Sequence, residues 1–366
     1  MHDCPENCSK CTNDGCGRMK PVISKFQTGV ILVIIAAIGM LFSLLKQDRE
    51  NSKFSGQYSY PVMGTVFTAD FFEPEQVAEK AAKAVFAELK KIETMCNIFD
   101  SESEISKLNS NAANAPFICS RELYSMLVYC RLAHKITGGA FDITAKPLMD
   151  LWGFYRQQNN VPTTAEIKTV LTKVGMDKVK FNDQNNSVFF TVPGMAFDLG
   201  GVAKGAALDA AVKAARNAGA ENFILNLGGN IACRGKNKNG RDFFEIGIRD
   251  PRKRDAVIDK LQLSNAFCAT SGDYERFVVL NGRKYSHIMN PLTGYPVQNM
   301  CSVTVVADKG IDSDIFSTAC FILGRKEADR FIQTKKINDV CSLSIAEDNS
   351  FSYSHGFNHI TKEVKK

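Results

Sequence analysis

The sequence has little histidine and almost no tryptophan: five His and one Trp in 366 residues. The histidines are His2, His134, His287, His355 and His359, and no HExxH motif occurs, which excludes a zinc protease or other His-rich metallohydrolase. GxxxxGK[ST] is missing, so the chain has no P-loop, and without GxSxG it has no nucleophile elbow. It also lacks a block of like charge beyond the short tail around Lys362 and Lys366. The net charge of +6, from 45 Lys and Arg against 39 Asp and Glu, is scattered. A nucleic-acid binder concentrates its basic residues in a patch or stripe, and none is present. Repeats and low-complexity segments are absent as well.

A single long uncharged apolar run is present, FQTGVILVIIAAIGMLFSLL at 26–45. A bilayer-spanning helix needs roughly 20 such residues. The run ends in Leu44, Leu45, Lys46, Gln47 and Asp48 with no small-x-small cleavage pattern, and no cysteine follows it closely. An uncleaved anchor is therefore expected, rather than a signal peptide or a lipoprotein anchor. Lys10, Arg18, Lys20 and Lys25 precede the span, and Lys46, Arg49 and Lys53 follow it. By the positive-inside rule the N-terminus faces the cytoplasm and the large C-terminal part lies outside it, on the periplasmic or extracytoplasmic side of the inner membrane. Four regions result: a Cys-rich arm (1–25), the transmembrane anchor (26–45), a polar linker (46–56) and one globular unit (57–361).

The cysteines form two sets. Cys4, Cys8, Cys11 and Cys16 crowd the arm with His2 nearby, and four thiolates in that space can hold one Zn²⁺ or an iron–sulfur cluster. A disordered arm with free thiols is the other reading, and both stay open. The remaining eight sit mostly in apolar stretches such as CSVTVV and STACFIL, as small core residues do. Eight unpaired thiols fit poorly with an oxidising compartment, so a reducing space, an oxygen-poor habitat or some pairing are the alternatives.

Periodicity predicts an α+β unit with mostly antiparallel sheet. SYPVMGTVFTADFF reads as a strand, PEQVAEKAAKAVFAELKKIETM and CSRELYSMLVYCRLAHKITG as helices, and KVKFNDQNNSVFFTV as a hairpin. MAFDL reads as a short buried strand and AKGAALDAAVKAARNAG as a helix. NFILNLGGNIACRG, DFFEIGIRD, RFVVLNG, KYSHIMN and CSVTVVA read as strands, and SDIFSTACFILGRKEADRFIQ as one helix.

Four segments could carry chemistry. In Phe197-Asp198-Leu199-Gly200-Gly201-Val202-Ala203-Lys204-Gly205 a buried strand runs through two glycines into a helix, where free N–H groups attract phosphate or carboxylate. Asp314 and Thr318, at i and i+4, present two hard oxygens on one helix face, which suits Mg²⁺; an Asp favoured by the helix dipole with a Thr bonded back along the helix is the plain reading of that spacing. His287, in YSHIMNPLTG after ATSGDYER, ends a strand and can act as a general base near neutral pH. GGAFDIT leads to LWGF, where core packing is the plain reading of the Trp and Phe.

Taken in order, these pieces resemble the ApbE family of FAD:protein FMN transferases. The resemblance is carried by Met63-Gly64-Thr65, SEISKLN, GGAFDIT, LWGF, FDLGGVAKG, NLGGNI, ATSGDYER, YSHIMNPLTGYPV and the Asp314/Thr318 helix, from about Pro61 to Gly324. It implies an FAD cleft between two α+β halves of a T-fold-like unit. Met63 and Phe99 would flank the flavin, Ala140, Phe141 and Asp142 would line its loop, and Asp198 and Lys204 would belong to the FAD-contacting turn. Asp314, Thr318 and the Gly201 carbonyl would hold magnesium. His287 would be the base, with Ile288 beside it at the cofactor. The sequence departs from the family pattern at Phe99 (usually Tyr), at Asn230 (NLGGD) and at Asn290 and Leu292 (HIxDPRTG).

The implied reaction is FMN transfer from FAD to a Ser or Thr hydroxyl, with release of AMP. The implied partner is a flavoprotein subunit of a membrane electron-transfer complex. A tethered FAD-binding electron carrier and a Mg-dependent FAD hydrolase are the alternatives.

Overall fold

The computed structural model describes residues 55–155, 160–253, 255–334, 340–348, 350–354 and 357, all within one compact unit. The arm and the 26–45 span lie outside the described residues. No described helix is long and apolar enough to cross a membrane.

The described elements run in chain order as follows: β1 (Ser55–Val62), β2 (Thr65–Phe72), α1 (Glu75–Cys96), α2 (Glu104–Asn111), β3 (Phe117–Ile118), α3 (Arg121–Ile136), α4 (Lys146–Leu151), α5 (Thr164–Leu171), β4 (Val179–Asn182), β5 (Ser187–Phe190), α6 (Ala203–Asn217), β6 (Phe223–Leu227), β7 (Asn230–Arg234), β8 (Phe244–Arg249), β9 (Val257–Leu263), β10 (Phe267–Gly272), β11 (Phe277–Leu280), β12 (Arg283–Ser286), β13 (Met300–Ala307), α7 (Gly310–Leu323), α8 (Arg325–Thr334), β14 (Val340–Ala346) and β15 (Phe351–Tyr353). The main sheet has eight strands in the order β1-β2-β6-β7-β10-β13-β14-β15, and every described pairing is antiparallel. The mixed α+β architecture expected from the sequence is present.

Side-chain spacing explains the layers. α1 buries Ala78, Ala81, Ala82, Val85, Leu89 and Ile92, one face of a helix at i, i+3/i+4 spacing. Together with α6 and α7 it covers one face of the sheet and forms the main core. The other face carries Cys233, Cys268, Cys301, Leu343 and Ile345 under the β8–β9 hairpin. β13 is buried along its whole length, which is why it reads as an unbroken apolar run rather than an alternating one.

The structure corrects three sequence expectations. SYPVMGTVFTADFF is two strands, not one: β1 and β2 meet in a two-residue turn in which Met63 and Gly64 both have positive φ, 55° and 69°. Such turns favour Asn-Gly, so Met-Gly gives no warning. MAFDL forms no strand. The Asn109 side chain takes its place, donating to the Phe197 carbonyl at 2.9 Å and accepting the Phe197 N–H at 2.7 Å. The last long helix breaks at Gly324, whose φ of 75° ends α7 before α8 begins.

All eight described cysteines are free and buried. Burial pushes every one of these thiols upward, to about 12 at Cys96, Cys119, Cys320 and Cys341 and to about 11 at Cys301. A buried thiol without thiolate character neither exchanges nor oxidises readily. Unpaired cysteines are therefore compatible with an oxidising compartment, which removes the conflict noted from the sequence.

α6 and α7 cross at glycine. A Cβ on Gly205 would lie 2.3 Å from the Gly310 carbonyl oxygen, and one on Gly310 would lie 2.4 Å from that of Gly205. The helices also exchange carboxylates. Asp209 of α6 accepts the Gly310 and Ile311 N–H groups at 2.8 and 2.9 Å, and Asp314 of α7 accepts the Gly205 N–H at 2.9 Å. Backbone cannot yield as a flexible side chain can. Gly205→Ala should therefore cost about 1–3 kcal/mol or more, read as a lower Tm by calorimetry. An unchanged Tm would show that the helices can slide apart.

Candidate active site

The α6–α7 crossing sets the metal-type residues. Asp314 is 4% exposed; its Oδ2 is held by the Gly205 N–H, and its Oδ1 lies 3.8 Å from the Lys204 ammonium. One turn on, Thr318 Oγ1 lies 3.4 Å from Ser271 Oγ, which itself meets Ser317 Oγ at 2.9 Å. A Cβ on Gly201 would sit 3.2 Å from Thr318 Oγ1 and 3.3 Å from the Phe141 ring. Glycine thus leaves a cradle bordered by a carboxylate, two hydroxyls and backbone. These are hard oxygen donors, and they fit a cation such as Mg²⁺. Ser271 is an addition to the expected set; it was visible only as part of ATSGDYER.

His287 follows β12 directly. Its N–H donates to the Arg276 carbonyl at 3.1 Å, and its ring Nδ1 lies 3.1 Å from the same oxygen. A carbonyl can only accept, so Nδ1 carries the proton and Nε2 keeps a lone pair. Burial first, then the nearby Arg276 and Lys204 charges, push the imidazole down to about 4. Lys204, 3.8 Å from Asp314 Oδ1, thus also acts by charge on His287. Ile288 is buried, donates its N–H to Ser286 Oγ at 3.2 Å and accepts the Val297 N–H at 2.8 Å, so its polar backbone groups are spent on the turn.

The two acids assigned to the cofactor are braced by their own loops. Asp142 accepts the Thr144 N–H and hydroxyl at 2.8 and 2.6 Å and faces His134 Nδ1 at 3.2 Å, which raises the His134 pKa. Asp198 caps the glycine turn through the Gly200 N–H at 2.8 Å and accepts the Tyr155 hydroxyl. Tyr155 meets Phe99 edge-on at 5.4 Å between centroids. Phe99 itself is 67% exposed. Ala140 and Phe141 are buried, and the Phe141 N–H donates to Thr137 Oγ1 at 3.1 Å. Met63 holds its left-handed turn by donating its N–H to Glu93 Oε1 at 2.6 Å, and a Cβ on Gly64 would lie 3.7 Å from an Arg276 guanidinium nitrogen. Arg276 reaches the Met63–Gly64 turn with its guanidinium and His287 with its carbonyl.

The ApbE family profile matches residues 63–341, three quarters of the chain. A Haemophilus influenzae FAD:protein FMN transferase is 30% identical over 331 residues, covering 87% of this chain and 93% of that protein. The chain belongs to the ApbE family. A Klebsiella pneumoniae FAD:protein FMN transferase is also 30% identical, over 73% of this chain and 82% of its own length. Among solved structures, the ApbE protein of Thermotoga maritima superposes with a TM-score of 0.78 at 31% identity, covering 85% of this chain and all of that one. The flavin transferase ApbE of Vibrio cholerae superposes at 0.75 with 25% identity, covering 84% and 99%.

For an ApbE chain the departures at Asn290 and Asn230 can now be placed. Asn290 Oδ1 accepts the Leu292 and Thr293 N–H groups at 3.0 and 3.3 Å, so it shapes the turn with an oxygen that Asp would equally supply. Asn230 is buried at the start of β7, and its Nδ2 has no partner among the described residues. Tyr155 and Arg276 were not picked out as site residues from the sequence. Tyr155 directly follows LWGF, and no spacing rule marks it.

A positive φ of 55° is uncommon for a residue other than glycine, and at Met63 the bond to Glu93 holds it. The double variant Asp198→Ala, Met63→Ala should weaken FAD binding by about tenfold or more, measured by fluorescence quenching of the flavin. Unchanged affinity would remove these two turns from the cleft.

Proposed function

We propose that this chain transfers FMN from FAD to a Ser or Thr hydroxyl of a partner flavoprotein, with Mg²⁺ at Asp314, Thr318 and the Gly201 carbonyl. The observation that carries the reading is His287, whose Nδ1 is tied to the Arg276 carbonyl so that Nε2 is left for the acceptor, together with the Thr318 and Ser271 hydroxyls beside Gly201 and Asp314 one turn back. Bound there, the metal neutralises phosphate charge that would repel an attacking oxygen. Nε2 takes the acceptor hydroxyl's proton as that oxygen bonds to the FMN-side phosphorus. The phosphorus–oxygen bond to the adenylate side breaks, and AMP leaves with the bridging oxygen. Lys204 and Arg276 supply positive charge beside the phosphates, and Phe99 with Tyr155 offers an aromatic wall to the flavin.

The test is incubation of full-length chain in detergent with FAD, Mg²⁺ and purified flavin subunits of membrane electron-transfer complexes. Intact-mass measurement should show one subunit gaining FMN less water, with AMP released in equal amount and none after EDTA. Free FMN with AMP would instead make the chain a hydrolase, and intact bound FAD would make it an electron carrier.

The same reading includes a membrane anchor at 26–45, with the enzyme on the extracytoplasmic side, and an arm whose Cys4, Cys8, Cys11 and Cys16 hold Zn or an iron–sulfur cluster apart from catalysis. Deleting 1–25 should leave transfer intact and remove Zn or Fe from anaerobically purified protein. Equal metal content in both forms would refute the arm site.

A further inference from the structure

Asp142 has a partner whose charge depends on pH. Its side chain is only 3% exposed, and Oδ1 accepts the Thr144 N–H and hydroxyl. Its Oδ2 lies 3.2 Å from His134 Nδ1. That nitrogen is buried and makes no aligned hydrogen bond, so charge rather than a directed bond holds the pair. The charge exists only while the imidazole is protonated. His134 sits in the last turn of α3, where the helix dipole also favours a cation. The Asp142 carboxylate raises the His134 pKa, burial opposes it, and the Phe141 backbone and the Asp177 charge add to the rise. Neighbouring cations are engaged elsewhere. Arg131 on the same helix reaches Asp183, Lys135 is exposed, and Lys178, next to Asp177 in the chain, donates to the Val174 carbonyl. Leu292, which meets Gly139 as His134 does, is apolar.

The pair closes a loop on which the glycine turn leans. Between His134 and Asp142 the chain reverses through Gly138 and Gly139, at φ of 63° and 87°. The Gly139 N–H donates to the His134 carbonyl at 2.9 Å. On either side of Asp142 the loop touches the turn. The Phe141 ring would lie 3.3 Å from a Cβ on Gly201, and the Ile143 carbonyl accepts the Asp198 N–H at 2.7 Å.

We propose that His134 is a positioning residue for FAD: its imidazolium holds Asp142, and with it the loop from Ala140 to Ile143, against the glycine turn, and its neutral form releases that loop. The inference rests on the transferase reading above, in which this loop and turn bind FAD. The sign follows from the pair. Below the unfolded value of about 6.5 His134 is charged and the clamp is complete. As pH rises through the raised value in the fold, the proton leaves and buried Asp142 faces a neutral ring. FAD therefore binds more weakly in alkaline than in mildly acid solution. By linkage, bound FAD in turn strengthens proton binding at His134 by the same factor.

The test is FAD affinity of the full-length chain in detergent, without acceptor, read by flavin fluorescence from about pH 6 to about pH 9. Wild type should show a Kd that rises about tenfold over the loss of one proton. His134→Gln should bind at the weak, alkaline wild-type level throughout, with no slope. His134→Lys keeps a charge across the whole range and should bind tightly throughout, which also serves if the Gln variant melts early. With FAD saturating, kcat should stay the same in all three. A side chain that only supports the fold would shift every pH alike. A wild-type Kd that stays flat overturns the clamp and leaves the transferase reading standing. A His134→Gln profile that keeps the wild-type slope places the proton elsewhere and overturns it too. If wild type binds no FAD at any pH, the transferase reading fails and the clamp falls with it.

Discussion

Asp314→Asn should leave the chain folded and cut FMN transfer by about a thousandfold. Two observations separate charge from scaffold at this position. Asp314 Oδ2 accepts the Gly205 N–H at the helix crossing, a bond that an amide oxygen can keep. Oδ1 lies 3.8 Å from Lys204, and in the proposed site it is the carboxylate charge there that would hold the cation. Asp314→Ala removes both. It should lose the same activity and, because it leaves a buried N–H unpaired, about 1–3 kcal/mol of stability as well. The pair is read by thermal melting and by transfer rate across a Mg²⁺ titration. Near-wild-type transfer by the Asn variant at low Mg²⁺ would move the metal elsewhere. Loss of folding in the Asn variant would show that the charge itself holds α6 to α7.

The long helices α1, α3, α6 and the α7–α8 stretch were legible because their signals are local, whereas the short helices α2, α4 and α5 were not read from the sequence. The apolar faces of α1, α3 and α6 repeat at helical spacing, and Ser103, Ser120 and the Thr163–Glu166 capping box mark helix starts. What failed depends on distant partners. The alternation of SYPVMGTVFTADFF continues through the Met63–Gly64 turn, so nothing in it reveals the chain reversal. Phe197 finds its partner in the Asn109 side chain, far away in sequence, and no periodicity reports that.

The candidate site was legible as a set of segments rather than as contacts. Thr318 lies against Gly201, and Asp314, one turn back on the same helix, lies 3.8 Å from Lys204, whose charge also acts on His287. Asp142 and Asp198 look like free carboxylates in the sequence, but their oxygens are occupied by Thr144, His134, Gly200 and Tyr155. These bonds fix the two loops, and in the proposed reaction the positive charge beside the phosphates comes from Lys204 and Arg276. The spacing between Phe99, Tyr155 and Asp198 carries no rule that joins them, so the aromatic wall emerges only from packing.

His287→Ala should lower kcat by about 10²–10⁴-fold while sparing FAD affinity. In the proposed reaction the side chain acts on the acceptor's proton, and its ring Nδ1 is tied to the Arg276 carbonyl. The pH profile tests the same assignment independently. The imidazole's pKa lies near 4 in the fold, against about 6.5 in an unfolded chain. Nε2 is therefore competent at every pH well above 4, and kcat/KM for the acceptor should be flat above about pH 5.5, with no limb near 6.5. For stability the sign follows from the same pair of values. Between 6.5 and 4 the unfolded chain binds a proton that the folded one refuses, so this residue's contribution turns against the fold as pH drops through that window. His287→Ala should remove that part of the acid sensitivity while it slows the reaction. A limb at pH 6.5 in the wild-type rate would place the imidazole in water. A variant that loses FAD affinity and rate together would make His287 a ligand contact instead of the base.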